Sequence, residues 1–251
     1  FILKILRFGN TFFLTTLFPY TLVSSLENEL KNFKKHNMKK LTILIALFIT
    51  SFTLSAQSQE AYMNAMVKGL QSMGAERNLE NLQASAGQFE RIAAIASDQW
   101  HPQYYAALNY INASFLAEGV KAKDQLLDKA KPFVEKAKAL VPNNSEVVAL
   151  EGFYFMAQLA ADPASRGQSL SGLASQTFGQ AMQLDAKNPR AMALMAQMQY
   201  GTAQFFGSST AGACGLVEKS IPLFNAEEKG KSFDPTWGIE MAQELMSGCG
   251  K

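Results

Sequence analysis

ALVPNNSEVVALEGFYF, residues 139–155, is the stretch that decides the fold of this chain. It contains the apolar end of one helix, a polar turn, and an N-terminal signal that starts the next helix. The same layout occurs in AIASDQWHPQYYAAL (94–108) and QLDAKNPRAMALMA (183–196), and more loosely in KGKSFDPTWGIEMA (229–242). A junction that recurs along one chain predicts a repeated supersecondary unit.

The junctions recur at a nearly constant interval. When Pro102, Ser145, Pro189 and Pro235 are taken as equivalent first-turn positions, the successive spacings are 43, 44 and 46 residues. The same step back from Pro102 reaches the neighbourhood of Gln59, where we expect the first helix to begin. The period therefore predicts four helical hairpins followed by one terminal helix.

A second pair of segments supports the repeat. LLDKAKPFVEKA (126–137) and LVEKSIPLFNAE (216–227) align without gaps, and each carries a proline at the same place, Pro132 and Pro222. Proline inside a helix removes one backbone hydrogen bond and bends the axis. The same interruption at two matching places indicates repeat architecture.

The part of the chain after residue 56 is predicted to be entirely helical. Ala, Met, Gln, Leu, Glu and Lys dominate it, and all are good helix formers. Apolar residues recur at intervals of three and four, and no stretch alternates between polar and apolar residues as a strand does. Clusters of turn residues divide this part into about nine helices.

The junction at 139–155 resembles that of a tetratricopeptide repeat (TPR). In that pattern a small, a larger apolar and another small residue precede a proline, and the next helix carries a small residue and then an aromatic one. The residues at those positions are Ala130, Val134, Ala137, Pro142, Gly152 and Phe155. A partial second match consists of Ala181, Ala196 and the pair Asn188-Pro189. The resemblance covers residues 79–248.

Two features depart from the TPR pattern. The period exceeds the usual 34 residues, which implies longer hairpins or insertions. The large aromatic residue expected four positions into each first helix is replaced by Val148 and Met192 in two units.

The resemblance implies an all-α, right-handed α-solenoid of stacked hairpins. One hairpin cannot bury its own apolar face, whereas stacked hairpins share a continuous core. The last segment, Pro235 to Cys249, would form a C-terminal capping helix. Trp237 is expected to pack that helix onto Phe224 and Leu223.

MKKLTILIALFITSFTLSA, residues 38–56, has the parts of a secretory signal. Lys39 and Lys40 form a positive region, an apolar run follows, and Leu54-Ser55-Ala56 ends in small residues. We expect cleavage after Ala56. No Cys follows the cleavage site, which argues against a lipoprotein.

The signal divides the chain into three parts. Residues 1–37 contain no Met and are expected to be an untranslated or non-native leader, with a real N-terminal extension as the alternative. Residues 38–56 are the signal peptide, and residues 57–251 are a single TPR-like domain. The expected location is the bacterial periplasm or the outside of the cell, with no stable membrane anchor after cleavage.

Charge argues against a nucleic-acid partner. The whole chain has a formal net charge of +2, but the segment from residue 57 onward has 16 basic and 19 acidic residues. The basic balance therefore comes from the N-terminal part, and the main electrostatic support for nucleic-acid binding disappears.

The two cysteines, Cys214 and Cys249, are expected to form a disulfide. An exported protein meets an oxidising environment, and antiparallel neighbouring helices bring the start of the eighth helix and the end of the ninth together. Two free thiols are the alternative. Two cysteines and one distant histidine do not make four zinc ligands, so we expect no metal and no cofactor.

No arrangement of residues points to catalysis. His101 has no nucleophile or acidic partner suggested nearby, and the Gly-x-Ser sequences lack the strand–turn–helix setting of a nucleophile elbow. The interpretation is that the protein is not an enzyme.

The TPR register implies which side chains face the concave surface. Those implied residues are Gln103, Tyr110, Glu146, Phe153, Met156, Arg190, Gln197 and Tyr200. Tyr110 and Arg190 are expected to be the most exposed. The alternative for the aromatic residues is burial in the core, since aromatic side chains at helical spacing are usually buried.

Two functions fit this surface. The first is a scaffold or adaptor that binds a partner protein or peptide in the groove, which rests on architecture alone. The second is a periplasmic accessory protein of an uptake system that binds a small organic solute. A deep pocket between hairpins would favour the second, and an open, wet groove the first.

Overall fold

The computed structural model describes residues 6–8, 11–13, 59–74, 76–228 and 233–250. The predicted signal peptide, 38–56, lies outside the described residues. The chain divides into two units, 1–60 and 61–251. In the first unit, strand β1 (Leu6–Phe8) pairs antiparallel with strand β2 (Thr11–Phe13).

The part of the second unit that the structure describes is built from helices, and nine helices are described in all. The first, α1, spans 59–72. The others are α2 (Leu79–Ile95), α3 (Trp100–Leu116), α4 (Val120–Leu140), α5 (Ser145–Ala161), α6 (Pro163–Leu184), α7 (Pro189–Phe206), α8 (Ala211–Asn225) and α9 (Ile239–Ser247). The predicted number of helices and the predicted start near Gln59 are confirmed.

The helices stack as hairpins along a solenoid. From α2 onward each helix packs against the next, and α3, α5, α7 and α9 also contact one another in that order. Helices α3, α5, α7 and α9 therefore form one layer, called the inner layer below, and their hairpin partners form the other. This is the all-α, TPR-like solenoid that the sequence predicts.

The repeated helix starts are set by matching asparagine caps. The Asn144 side chain accepts hydrogen bonds from the backbone N–H groups of Glu146 and Val147, and Asn188 accepts one from Ala191. Asparagine at this position satisfies donors that the first turn leaves free. The two caps begin α5 and α7 and fix the register of one repeat against the next.

Small residues let paired helices approach closely, and Gly152 is one of them. A Cβ atom added there would lie 2.5 Å from Cε1 of Phe178, on α6. Gly69 on α1 stands in the same relation to Phe89 on α2, at 2.9 Å. Phe89 and Phe178 are fully buried and are among the largest side chains of the core.

The fourth junction departs from the other three. Pro102 and Pro189 lie in the first turns of α3 and α7, but Pro235 precedes α9 by four residues. Gly238, with φ +111, caps α9 and delays its start. The described residues before it, 233–237, are not helical.

The disulfide between Cys214 and Cys249 is present, with Cα atoms 5.8 Å apart. It ties the first turn of α8 to the residues that follow α9. Within the described part of the chain, no helix is both long and apolar enough to cross a membrane.

Candidate functional site

A cleft of about 440 Å³ opens between the first hairpin, α3 and the C-terminal segment. The helices α1 and α2 form one side, α3 and α5 the floor, and α9 with the residues before it the other side. Its lining comprises Ser72, Met73, Glu76, Arg77, Asn81, Leu82, Ser85, Leu108, Asn109, Asn112, Phe115, Phe153, Gln197, Trp237, Gly238, Glu240, Met241 and Glu244. Its size lies within the range of small-molecule sites.

Three aromatic rings form a continuous wall of the cleft. Phe115 and Phe153 are stacked with ring centroids 5.6 Å apart, and Phe153 and Trp237 are stacked at 5.7 Å. The interplanar angles are 21° and 28°. Phe115 remains 36% exposed. Phe153, stacked between the other two rings, is 4% exposed, so Phe115 and the partly exposed Trp237 supply the aromatic surface that is open to a flat, apolar ligand.

The C-terminal wall is held by a non-helical segment, 233–238, which we call the strap. The Tyr105 hydroxyl donates to the carbonyl oxygen of Phe233 at 3.0 Å. Trp237 Nε1 donates to the Tyr104 hydroxyl at 3.0 Å. Since Tyr104 and Tyr105 lie on α3, the strap is fixed across the inner layer of helices. Burial raises the pKa of both phenols, which stay protonated at neutral pH.

A buried cluster of charges anchors the strap from the other side. Arg190, 3% exposed, pairs with Glu146 through Nε–Oε2 at 2.6 Å and Nη2–Oε1 at 2.9 Å. Its Nη1 donates to Glu227 Oε2 and to the Trp237 carbonyl, both at 3.1 Å. Asn188 adds a hydrogen bond to Glu146 at 2.8 Å. One cation thus joins α5, the segment after α8, and the strap.

Burial acts on the pKa values of this cluster. Desolvation raises the pKa of Glu146, and the hydrogen bonds from Arg190 offset part of that rise. Burial alone would lower the pKa of Arg190, but the paired carboxylates raise it above its ordinary value. The guanidinium is therefore permanently charged, and it is the cation that stabilises the charged form of Glu146.

Only two of the predicted concave-face residues line the cleft, Phe153 and Gln197. Gln103 and Met156 are buried, and Glu146 is held by Arg190. The Tyr200 hydroxyl donates to the carbonyl of Gly248, which follows α9.

The predicted exposure of Tyr110 and Arg190 is wrong. Tyr110 is 5% exposed because its ring packs inside the α2–α4 layer, where its hydroxyl donates to Glu90 at 3.0 Å. Arg190 lies on α7, and its bond to the Trp237 carbonyl places it under the strap. The TPR register did not predict this covering segment.

The predicted packing of Trp237 on Phe224 and Leu223 is also wrong. Trp237 stacks on Phe153 and bonds to Tyr104, and the neighbouring Gly238 is the residue that meets Phe224. The positive φ of Gly238 redirects the chain.

His101 takes no part in the cleft. Its ring stacks on Trp100 at 3.9 Å, and Nε2 lies 3.2 Å from Asp234 Oδ1 on the strap. Burial lowers the pKa of His101, and the contact with Asp234 offsets part of that effect.

Sequence reasoning missed two polar residues at the bottom of the cleft, Ser85 and Asn109. Ser85 Oγ and Asn109 Oδ1 are buried and have no hydrogen-bond partner. A signal for Asn109 existed. It lies 43 residues before Gly152 and so occupies the position where a small residue belongs.

The rim of the cleft carries charges of both signs. Glu76, Glu240 and Glu244 contribute carboxylates, and Arg77 contributes a cation whose Nη2 donates to Asn112 Oδ1 at 2.8 Å. Among the described residues, no group of three or more His, Cys, Asp or Glu side chains is placed to hold a metal ion.

Comparison with known proteins finds similar solved structures. No protein-family model matches the chain, and no curated protein matches it. Among solved structures, the HusA haemophore from Porphyromonas gingivalis is 27% identical, with a TM-score of 0.67, over 75% of this chain and 92% of that chain. A thermophilic TPR protein from Thermus thermophilus is 11% identical, with a TM-score of 0.43, over 77% of this chain and 93% of that one.

Proposed function

We propose that the protein is an exported carrier that binds a flat, amphipathic small molecule of the tetrapyrrole class, such as haem, in the cleft. The observation that carries the proposal is the stacked wall of Phe115, Phe153 and Trp237 beside an open cavity. The similarity to the HusA haemophore, which extends over nearly all of that chain, supports this ligand class.

The chemistry of the cleft suits such a ligand. A tetrapyrrole is a rigid aromatic plane, and stacking against rings adds about 0.5–1.5 kcal/mol for each pair beyond the area buried. The thioethers of Met73 and Met241 also line the cavity. Methionine sulfur packs well against aromatic planes and is one of the known ligands of haem iron.

Rim charges favour one orientation of the ligand. Arg77 is the only cation among the described residues that line the cleft, whereas three glutamates surround the rest of the opening. A ligand carboxylate is therefore expected near Arg77, since opposite charges attract and like charges at short range repel. The apolar part of the ring would then lie against the aromatic wall.

The adaptor alternative has less support. A peptide lying along the inner layer would need Arg190, Glu146 and Phe153, and the strap already occupies their polar groups and one ring face. The strap therefore covers the surface on which such a peptide would bind. What remains open is a short cleft and not a groove along several repeats.

We further propose that the protein carries its ligand without transforming it. No acid–base pair or activated nucleophile lies among the described residues that line the cleft, which instead offer rings, thioethers and amides. The signal-like segment at 38–56 supports a location outside the cytoplasm for such a carrier.

Titration of the purified protein with haemin, followed in the Soret band, tests the proposal. We expect saturable 1:1 binding that weakens by roughly 5- to 50-fold in Phe153→Ala, because this substitution removes the ring against which Phe115 and Trp237 stack, together with apolar contact in the cleft. The matched control is Phe155→Ala, which changes a partly buried phenylalanine on the same helix that does not line the cleft. Equal effects of the two substitutions would place the ligand elsewhere.

A further inference from the structure

Two buried polar atoms at the bottom of the cleft lack any partner. Asn109 is fully buried and Ser85 is 4% exposed, and both residues line the cavity. Asn109 Nδ2 donates to the carbonyl of Tyr105 at 2.8 Å, so its Oδ1 is the atom left over. Ser85 Oγ is likewise unpaired.

Leaving such atoms unpaired is costly. A buried donor or acceptor without a partner destabilises a protein by about 1–3 kcal/mol, and native proteins contain few of them. The other buried serines of comparable setting are satisfied. Ser114 Oγ donates to the carbonyl of Ile111 and Ser220 Oγ to that of Val217, both at 2.7 Å.

The position of Asn109 in the repeat is also unusual. Its equivalents one and two repeats later are Gly152 and Ala196, both small residues in closely packed places. Helix packing at this position therefore does not require an amide side chain. The amide instead puts an acceptor under the one cleft that the aromatic wall encloses.

We infer that Ser85 and Asn109 are specificity-determining residues that receive an uncharged O–H or N–H donor of the ligand. An amide oxygen accepts and cannot donate, so an ionised carboxylate would be repelled there, while a hydroxyl, an amide N–H or a protonated carboxyl group would be bound. The serine hydroxyl serves the same group as donor or acceptor. This inference rests on the proposed ligand cleft and names the chemistry of its inner end.

The stability of the ligand-free protein gives a test that needs no ligand. Ser85→Ala and Ser220→Ala both replace a buried serine inside a helix, so their gains in helix propensity cancel in the comparison. We expect Ser85→Ala to melt at or above the wild-type temperature and Ser220→Ala to melt about 2–4 °C below it. If Ser85→Ala melts as low as Ser220→Ala, the hydroxyl is a structural group satisfied by trapped water, and the inference is overturned.

Haemin titrations test recognition itself. We expect Ser85→Ala and Asn109→Leu each to weaken binding by roughly 2- to 10-fold, and Ser220→Ala to leave it unchanged. The donors on the porphyrin of haemin are its two propionic acid groups, of which one would be ionised beside Arg77 and the other protonated at Asn109. The dimethyl ester has neither group, so it should bind the wild type more weakly and should not respond to Asn109→Leu. If Asn109→Leu weakens the binding of the ester as much as that of haemin, the propionic acid group is not the donor that Asn109 accepts from, and the inference is contradicted. If the wild type binds no haemin, the tetrapyrrole proposal fails, and the melting comparison alone decides this inference.

Discussion

Arg190 Nη1 donates a hydrogen bond of 3.1 Å to the carbonyl oxygen of Trp237, so a buried cation fixes the backbone of a residue that walls the cleft. Arg190 itself does not line the cavity. The charge cluster of Arg190, Glu146 and Glu227 therefore holds the wall of the cleft in place and does not itself contact the cavity. Because the cluster holds the strap across the inner layer, a short cleft is left where a solenoid of this kind would otherwise have an open concave groove.

Removing the Arg190 charge is expected to be severe. Arg190→Met leaves Glu146 buried without its cation, which should lower the free energy of unfolding by about 3–5 kcal/mol. Urea denaturation measures the loss. The matched control is Arg166→Met, which breaks a two-point pair with Asp124 at 2.7 Å near the surface and should cost only about 0–1 kcal/mol. Equal losses of stability in the two variants would show that the buried cluster stabilises the fold no more than the ion pair near the surface does.

The close approach of α5 and α6 predicts a strong effect of one methyl group. Gly152→Ala should lower the free energy of unfolding by about 1–3 kcal/mol, since the new Cβ would overlap the Phe178 ring. Gly172→Ala on α6, where a Cβ meets nothing within 4 Å, should instead raise stability by about 0.5–1 kcal/mol. Denaturation of both variants checks the pair of signs, and a neutral Gly152→Ala would contradict the packing.

The disulfide should stabilise the cap helix that carries Met241 and Glu244. Replacing both Cys214 and Cys249 by serine removes a bridge between residues 35 apart and should cost about 2–4 kcal/mol in the free energy of unfolding. Denaturation with and without a thiol reductant measures this, because reductant should destabilise only the wild type. A wild type indifferent to reductant would contradict the prediction.

The raised pKa values of three tyrosines predict how the protein unfolds in alkali. Burial raises the pKa of Tyr62, Tyr110 and Tyr154 to about 12 from an ordinary value of 10.0. Since the unfolded chain releases these protons first, the stability they contribute is complete below pH 10 and is lost as pH rises through 12. Tyrosinate absorbance at 295 nm should therefore rise together with the loss of helical circular dichroism. Ionisation centred near pH 10 with the helices intact would be the contrary result.

Tyr110→Phe isolates one of these groups. It removes a phenol that donates to Glu90 and whose ring lies 5.6 Å from Lys129 Nζ. The alkaline transition should become shallower, with one proton fewer released on unfolding. An unchanged slope would mean that Tyr110 titrates normally in the folded protein.

The repeat could be predicted from sequence because its signals are local. The matching turns before Ser145 and Pro189, and the glycine at 152, report caps and close packing that any stacked hairpin requires. These features depend only on the spacing within one repeat.

The cleft could not be predicted because it depends on contacts distant in sequence. Trp237 meets Tyr104 across 133 residues, and Arg190 meets Trp237 across 47. The strap breaks the repeat, and Gly238 turns the chain with a φ of +111 just before α9. Asn109 was visible as an odd residue at a small position, but its meaning required knowing that a cavity lies beside it.

The fluorescence of Trp237 during a haemin titration tests the central claim most directly. The chain has two tryptophans, so Trp100→Phe leaves Trp237 as the single reporter. Haemin seated against the aromatic wall should quench Trp237 almost completely, with saturation at one ligand for each protein and the same affinity as in the Soret titration. Haemin binding that leaves Trp237 emission unquenched, or an absence of saturable binding, would contradict a ligand site walled by the strap.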